Sequence, residues 1–564
     1  MARYPLMLAA LAVAFAPLPA AAKKRPPEPA PVGTLIDNIA GETPDGNGGI
    51  DRFEAMLIDA DGRIVAVYHK GESRPARVAY RLDGGGRVVV PGFIDSHARV
   101  MDAGFARITL DLSAAGSLAE TLSRITAWSA AHPDAPWVLG QGWDDSGWAD
   151  GTPTAAALDA ATGGRPAWLV RSGGDAGWAS SAALTAAGIG DGTADLAGGR
   201  IERIAGSRRA SGVLVGTAAA MVEAKAPHPR PEDRDTAFAE AQLAFLRTGT
   251  TTVADMGTTI EDWQSWRRAA DRGDLRLRLV AYAASVNDMT LIGGPGPSPW
   301  LYDDRLKMNG LHITLDGAVA VAGAWLAAPY ADAPGSKGLP RMNGTQLGNL
   351  MSRAAIDNFQ VAVTAHGDEA VATLLDTVTD LAQTYKGDRR WRLEGAEVLS
   401  TGDLERLAGS GIIVSMQPRL SPEVSARYER QLGTERLGAV QAWRSVADRV
   451  GLPAFGSDSP PVPSAPFATF ALTTTRPEQA LSREAALTAQ SAAGARALFA
   501  EDRLGRLAKG YRADFLFVDR DPLLAPADQL AGIRVLETWI GGKLAWSAAP
   551  ATPASKDGAT APPR

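Results

Sequence analysis

The sequence predicts an α/β protein built on a closed (β/α)8, or TIM, barrel. Three observations predict it. The chain has 564 residues, long enough for a full barrel with accessory parts. Short apolar strand-like runs alternate with helix-like stretches, the pattern of a parallel sheet covered by helices. Both flanks break that pattern with short alternating strands and Gly turns. The size favours a closed barrel over an open sheet, and 60 Gly residues suit the many tight loops it needs.

The N-terminus reads as an export signal. Arg3 is a short basic start, residues 6–18 are largely apolar despite Pro17, and Ala20-Ala21-Ala22 offers the small residues a signal peptidase reads. We expect cleavage after Ala22, since the apolar run is shorter than the ~20 residues of a membrane span. Localisation is therefore expected to be periplasmic or secreted, with no membrane attachment after cleavage. Residues 23–32 are a Pro-rich charged linker, and 548–564 an Ala/Pro/Ser/Thr-rich tail expected to be disordered.

Between these ends the organisation follows in order. Residues 33–87 read as the first half of a small β-sandwich-like domain, with strand-like runs at 55–58 and 64–67, and residues 505–547 as its second half. Residues 88–504 read as the barrel. Its segment includes strand-like runs at 88–90, 167–170, 250–254, 275–283, 311–315, 361–364, 411–415 and 452–455. Helix-like stretches lie at 231–247, 259–271, 367–385 and 483–500. A segment at about 105–215, after the first barrel strand, reads as an inserted subdomain over the barrel mouth.

Composition narrows the chemistry. The net charge is −6 with both signs interspersed, which gives no footing for nucleic-acid binding. The absence of Cys removes disulfides, thiolate metal sites and cysteine nucleophiles. Of the six histidines, His69, His132 and His228 fall in turns or flanks and read as solvated surface.

The run Val90-Pro91-Gly92-Phe93-Ile94-Asp95-Ser96-His97 carries an apolar strand into Pro-Gly and then Asp-x-His. This run resembles the first barrel strand of the amidohydrolase superfamily. Further motifs support the resemblance: Trp143-Asp144, Trp168-Leu169-Val170-Arg171, Ala176-Gly177-Trp178, Asp255-Met256-Gly257, Asp316-Gly317-Ala318, Ser415-Met416-Gln417-Pro418 and Gly456-Ser457-Asp458-Ser459-Pro460. The match is to the long-chain subgroup that includes N-substituted formamide deformylase and exported metal-dependent hydrolases. It implies hydrolysis of carbon–nitrogen bonds other than peptide bonds, in an amide, formamide or cyclic amide.

The resemblance also exposes departures. Where members read His-x-His, this chain reads His97-Ala98-Arg99. His312 stands where a bridging lysine is expected, Thr364 and Gly395 stand where two histidine ligands are expected, and Asp175 replaces a histidine of the insert. His97 and Asp458 keep the family residue, and Asp458 is the expected catalytic base. Two readings stay open. In one, Arg99 pairs with Asp458 and replaces the metal charge. In the other, His97, His312, His366 and Asp458 rebuild a site for at most one zinc or other divalent metal.

Arg99, Asp175, Asp316 and Trp178 are the expected substrate contacts. The partner is a small-molecule substrate or ligand. The alternative function is a non-catalytic periplasmic small-molecule-binding pseudoenzyme, and a homodimer is what the resemblance implies.

Overall fold

The computed structural model describes residues 33–172, 176–196, 199–418, 420–460 and 464–548. The expected signal peptide and linker, nearly all of the expected tail and Asp175 lie outside these residues.

Eight parallel strands form the barrel: β1 (Phe93–Ala98), β2 (Thr250–Thr258), β3 (Arg278–Ala283), β4 (Leu306–Thr314), β5 (Gln360–Ala365), β6 (Arg392–Gly395), β7 (Ile413–Met416) and β8 (Ala454–Phe455). Each is hydrogen-bonded to the next in sequence order. Every residue of β3, β5 and β6 is buried, as strands wrapped by helices on one side and packed on the other require. The period of two sorts their side chains. Along β3, Val280 and Tyr282 pack inside the barrel with Ile94, Met256 and Ala362, while Leu279, Ala281 and Ala283 join the core beneath the helices.

The seam between β8 and β1 closes at the mouth. Asp458 N–H donates to the His97 carbonyl at 2.7 Å, and Arg99 N–H to the Ser459 carbonyl at 2.8 Å. Gly456 is required here, because a Cβ on it would stand 2.5 Å from the His97 backbone nitrogen. The following Asp458 sits in the left-handed region at φ 52°, a conformation that Asp tolerates better than most side chains.

The helices start where polar caps allow. Thr259 with Asp262, Asn343 with Gln346 and Ser400 with Asp403 form reciprocal capping boxes. Helices α1 (Val100–Ile108) and α2 (Pro231–Arg247) pack closely. Gly104 permits this, since a Cβ there would meet the Ala237 carbonyl oxygen at 2.0 Å. The helix expected at 483–500 is two, Arg483–Ala489 and Ala492–Ala497. Ser491 leaves helical backbone between them (φ −136°, ψ −87°), and Gly494 then lies against Ile94.

One boundary differs from expectation. Val88–Pro91 does not lead the first barrel strand. It pairs antiparallel with Phe515–Val518, so it belongs to the small β domain, and the barrel strand begins after Gly92. A side chain at Gly92 would strike Thr251 at 2.3 Å, which explains why the turn between the two strands carries none. That domain has two sheets. The six-stranded one runs Lys543–Ser547, Val535–Ile540, Phe515–Val518, Val88–Pro91, Ala40–Pro44, Ile50–Phe53. The four-stranded one runs Ile64–Tyr68, Ala55–Ile58, Thr34–Asp37, Tyr80–Asp83. Ile36, Met56, Val89, Phe515 and Phe517 share the core between them.

The insert builds a separate six-stranded sheet from strands between Leu110 and Gly216. Among the described residues no helix is long and apolar enough to cross a membrane.

Candidate active site

The barrel mouth is organised around His97, at the end of β1 and 6% exposed. Its Nδ1 lies 2.9 Å from Glu394 Oε2 of β6, and its Nε2 lies 3.7 Å from Asp458 Oδ1. Glu394 is fully buried, and so is Arg392 two residues before it on the same face. Arg392 Nε stands 2.6 Å from Glu394 Oε1, an ion pair rather than an aligned hydrogen bond. Arg392 also donates to the Ser96 carbonyl at 2.6 Å and to the Tyr282 hydroxyl at 3.0 Å. Burial opposes ionisation of Glu394, but the Arg392 charge and the His97 hydrogen bond outweigh it and hold the carboxyl below its ordinary range. An ionised Glu394 accepts the Nδ1–H of His97, which turns the Nε2 lone pair toward Asp458.

His312, at the end of β4, meets His97 edge to face with ring centroids 5.6 Å apart. Its Nε2 lies 2.8 Å from Thr364 Oγ1 on β5. Burial, followed by the nearby His97, lowers its pKa to about 3, so His312 is a neutral imidazole at neutral pH. Of the expected neighbours, His97 lies near both His312 and Asp458, and Thr364 stands beside His312.

His366 departs from the expected geometry. β5 ends at Ala365, so the residue leaves the strand period before it can share a face with Thr364. Its ring lies over Gly395, where a Cβ would fall 2.9 Å from His366 Nδ1. Glu397 Oε2 is 3.7 Å from the same nitrogen, which has no hydrogen-bond partner among the described residues.

Three expected substrate contacts take other roles. Asp316 is fully buried and accepts from the backbone N–H groups of Trp325, His366 and Gly367 at 2.8–2.9 Å. Both oxygens are committed to those amides, so it braces the loops after β4 and β5 instead of meeting a ligand. Trp178 is also fully buried. It packs against Trp143 and Trp148 inside the insert and donates to the Thr154 carbonyl at 3.0 Å. Arg99 pairs with Asp102 at 2.9 Å, each about half exposed, and not with Asp458. The two lie three residues apart at the start of α1, so the pair forms locally without reaching across the mouth.

A divalent metal is implied by the resemblance, and the residues at the mouth would have to supply its donors. A mononuclear zinc site takes three protein ligands and an open position. Here Nδ1 of His97 is held by Glu394, Nε2 of His312 faces Thr364, and His366 lies over Gly395. Among the described residues no group of three or more His, Asp or Glu side chains is placed to hold a metal ion. The rebuilt four-donor site expected from His97, His312, His366 and Asp458 is not assembled. The physical reason is that two of its imidazoles leave the shared direction.

Glu394 is the site residue that sequence reasoning passed over; Arg392, beside the missing histidine, reads as a surface or structural pairing residue, and it pairs with Glu394. Leu393-Glu394-Gly395 drew attention only for the histidine missing at 395. The available signal was an Arg-x-Glu pair on a strand whose other positions are apolar, because charges two apart on a buried strand must satisfy each other.

Comparison with known proteins agrees with this architecture. The profile described as "Amidohydrolase family" matches residues 82–545. N-substituted formamide deformylase of Arthrobacter pascens is 27% identical over 524 residues, covering 87% of this chain and 94% of that protein. Protein LONG AFTER FAR-RED 3 of Arabidopsis thaliana is 28% identical, covering 81% of this chain and 82% of that protein. An uncharacterized metal-dependent hydrolase from Pyrococcus horikoshii has the same fold, with a TM-score of 0.72 at 21% identity over 88% of this chain and 99% of that one. With the profile spanning the barrel, the insert and the second half of the β domain, this chain belongs to the amidohydrolase family.

Proposed function

We propose that this chain hydrolyses a carbon–nitrogen bond of a small amide, formamide or cyclic amide at the barrel mouth, by a route in which His97 and Asp458 serve the attacking water. The observation that carries the proposal is the position of His97 between two carboxylates, Glu394 at 2.9 Å and Asp458 at 3.7 Å. The first distance is a hydrogen bond that orients the ring. The second is too long for one, and a single water beside the pair could hydrogen-bond to both atoms.

In this reading Glu394 is a positioning residue. It accepts from Nδ1 and leaves Nε2 as the base. Water attacks the substrate carbonyl carbon while its proton passes to Nε2. The C–N bond then breaks and that proton goes to the departing nitrogen, yielding a carboxylic acid and an amine. Asp458 holds the water and stabilises the transient imidazolium. Neutral His312 is a hydrogen-bonding neighbour of the reacting carbonyl. No step is routed through a metal, because the donor set does not fit one among the described residues.

A second reading, a small-molecule-binding protein without turnover, is favoured by Arg99. A cation with its head half exposed stands at the mouth where relatives are expected to offer a neutral imidazole. One experiment separates them. Purified protein is assayed against N-substituted formamides and cyclic amides with a chelator present, beside His97→Asn and Glu394→Gln. Turnover that survives chelation and falls at least about a hundredfold in both variants supports the proposal. Turnover that needs added zinc overturns the metal-free route. No turnover, with the same compounds raising the Tm, supports the binding reading.

We further propose, from the N-terminal signal pattern alone, that the protein works outside the cytoplasm. A mature N-terminus at Lys23 in exported material tests this.

A further inference from the structure

A second site lies at the other end of the barrel. Lys307 is the second residue of β4, five positions before His312, so about 16 Å of strand separates it from the mouth. It opens onto a groove of about 580 Å³, within the size range of small-molecule pockets. Pro297, Pro299, Trp300 and Phe499 supply apolar walls. The Lys307 ammonium stands 5.8 Å from the centre of the Trp300 ring.

The charges around this groove are already matched, with one exception. Glu501 pairs with Arg390 at 2.6 Å. Asp502 pairs with Arg503 at 2.8 Å, and Arg503 also reaches Asp304 at 3.2 Å. Lys307 is half-buried, and among the described residues no carboxylate lies within 4 Å of its nitrogen. A lysine that merely snorkelled would keep its head in water and its ordinary pKa. Instead burial, added to by Arg503, lowers the Lys307 pKa to about 8.

We propose that this groove is a binding site for a small monocarboxylate with a flat apolar body. The carboxylate would pair with Lys307 and the body would lie against Trp300 between the two prolines. A monoanion supplies the ion-pair partner that Lys307 lacks among the described residues. A larger polyanion would meet Glu501 and Asp502 at the same opening.

The test uses benzoate as the probe and benzamide as its uncharged counterpart. Lysines are acylated with a limiting amine-reactive reagent, and each site is followed by mass spectrometry. Benzoate is expected to slow labelling of Lys307 several-fold and to leave Lys337 unchanged, since Lys337 sits exposed on another loop, donating to the Ala327 carbonyl. Benzamide is expected to protect at least about tenfold more weakly. Calorimetric binding of benzoate is expected to weaken about tenfold in Lys307→Met, with cooperative unfolding of that variant as the control for folding. Equal protection by benzamide, no protection by benzoate, or benzoate binding unchanged in Lys307→Met would each overturn the proposal. These outcomes are independent of turnover at the mouth.

Discussion

The imidazole of His366 occupies the space that a side chain at Gly395 would need. A Cβ at 395 would lie 2.9 Å from His366 Nδ1, and Gly395 itself is in the left-handed region at φ 87°. The two positions are coupled: the ring can sit there only because residue 395 has no side chain.

Restoring a histidine at 395 is therefore expected to fail on its own. Gly395→His adds a clash with the ring and a strained backbone, a cost of about 1–3 kcal/mol. His366→Gly in the same chain is expected to recover part of that loss. Urea unfolding of both single variants and the double variant gives the coupling directly. Simple additivity would show that the ring moves aside freely.

The two carboxylates flanking His97 should separate in stability but not in activity. Glu394→Gln leaves the fully buried Arg392 without its charge partner, a loss of about 3–5 kcal/mol. Asp458→Asn alters a side chain 40% exposed and keeps a residue type that tolerates positive φ, so its cost is expected to be smaller than that of Glu394→Gln. Both are expected to abolish hydrolysis. Denaturant midpoints measured beside the assay distinguish these effects.

Asp255 gives the fold a pH dependence with a definite sign. Burial pushes its carboxyl up to about 7, against hydrogen bonds from Thr258 and from the Val100 N–H that lower it. In the unfolded chain an aspartate titrates near about 3.9. Between these values the native state holds more protons than the unfolded state, so this group's contribution to stability falls as pH rises from about 4 to about 7. Asp255→Asn keeps an acceptor for the Val100 N–H and removes the titration. Its urea midpoint is expected to lose that downward slope, measured between about pH 5 and about pH 8.

Metal removal is expected to leave the folded protein unchanged. A site filled at a hundred times its Kd would add about 2.7 kcal/mol to stability, visible as a fall of about 2 °C in Tm on chelation. With no three-donor group among the described residues, the Tm before and after chelation is expected to coincide. A fall reversed by zinc would place donors at the mouth that this geometry does not assemble.

Much of this architecture is readable from local pattern. Alternating apolar runs and capped helices announce the barrel, because strand and helix periods are encoded within a few residues of each other. The Ile540-Gly541-Gly542-Lys543 run likewise announces the turn between Val535–Ile540 and Lys543–Ser547, with both glycines at positive φ. The meeting of His97 with Asp458 also follows, since both stand at the C-terminal ends of neighbouring barrel strands.

What the sequence by itself determined is the barrel, the split β domain, the insert and the strand ends that line the mouth. Only the tertiary structure decided what each mouth residue does. His97 and Glu394 are 297 positions apart, and nothing local to either specifies their hydrogen bond. Arg99 turns to Asp102 on its own helix, Asp316 is taken by three amides, and Trp178 is absorbed into the insert core. Strand period sets direction only while the strand lasts. Once β5 ends at Ala365, the space left by a glycine on β6 decides where His366 lies.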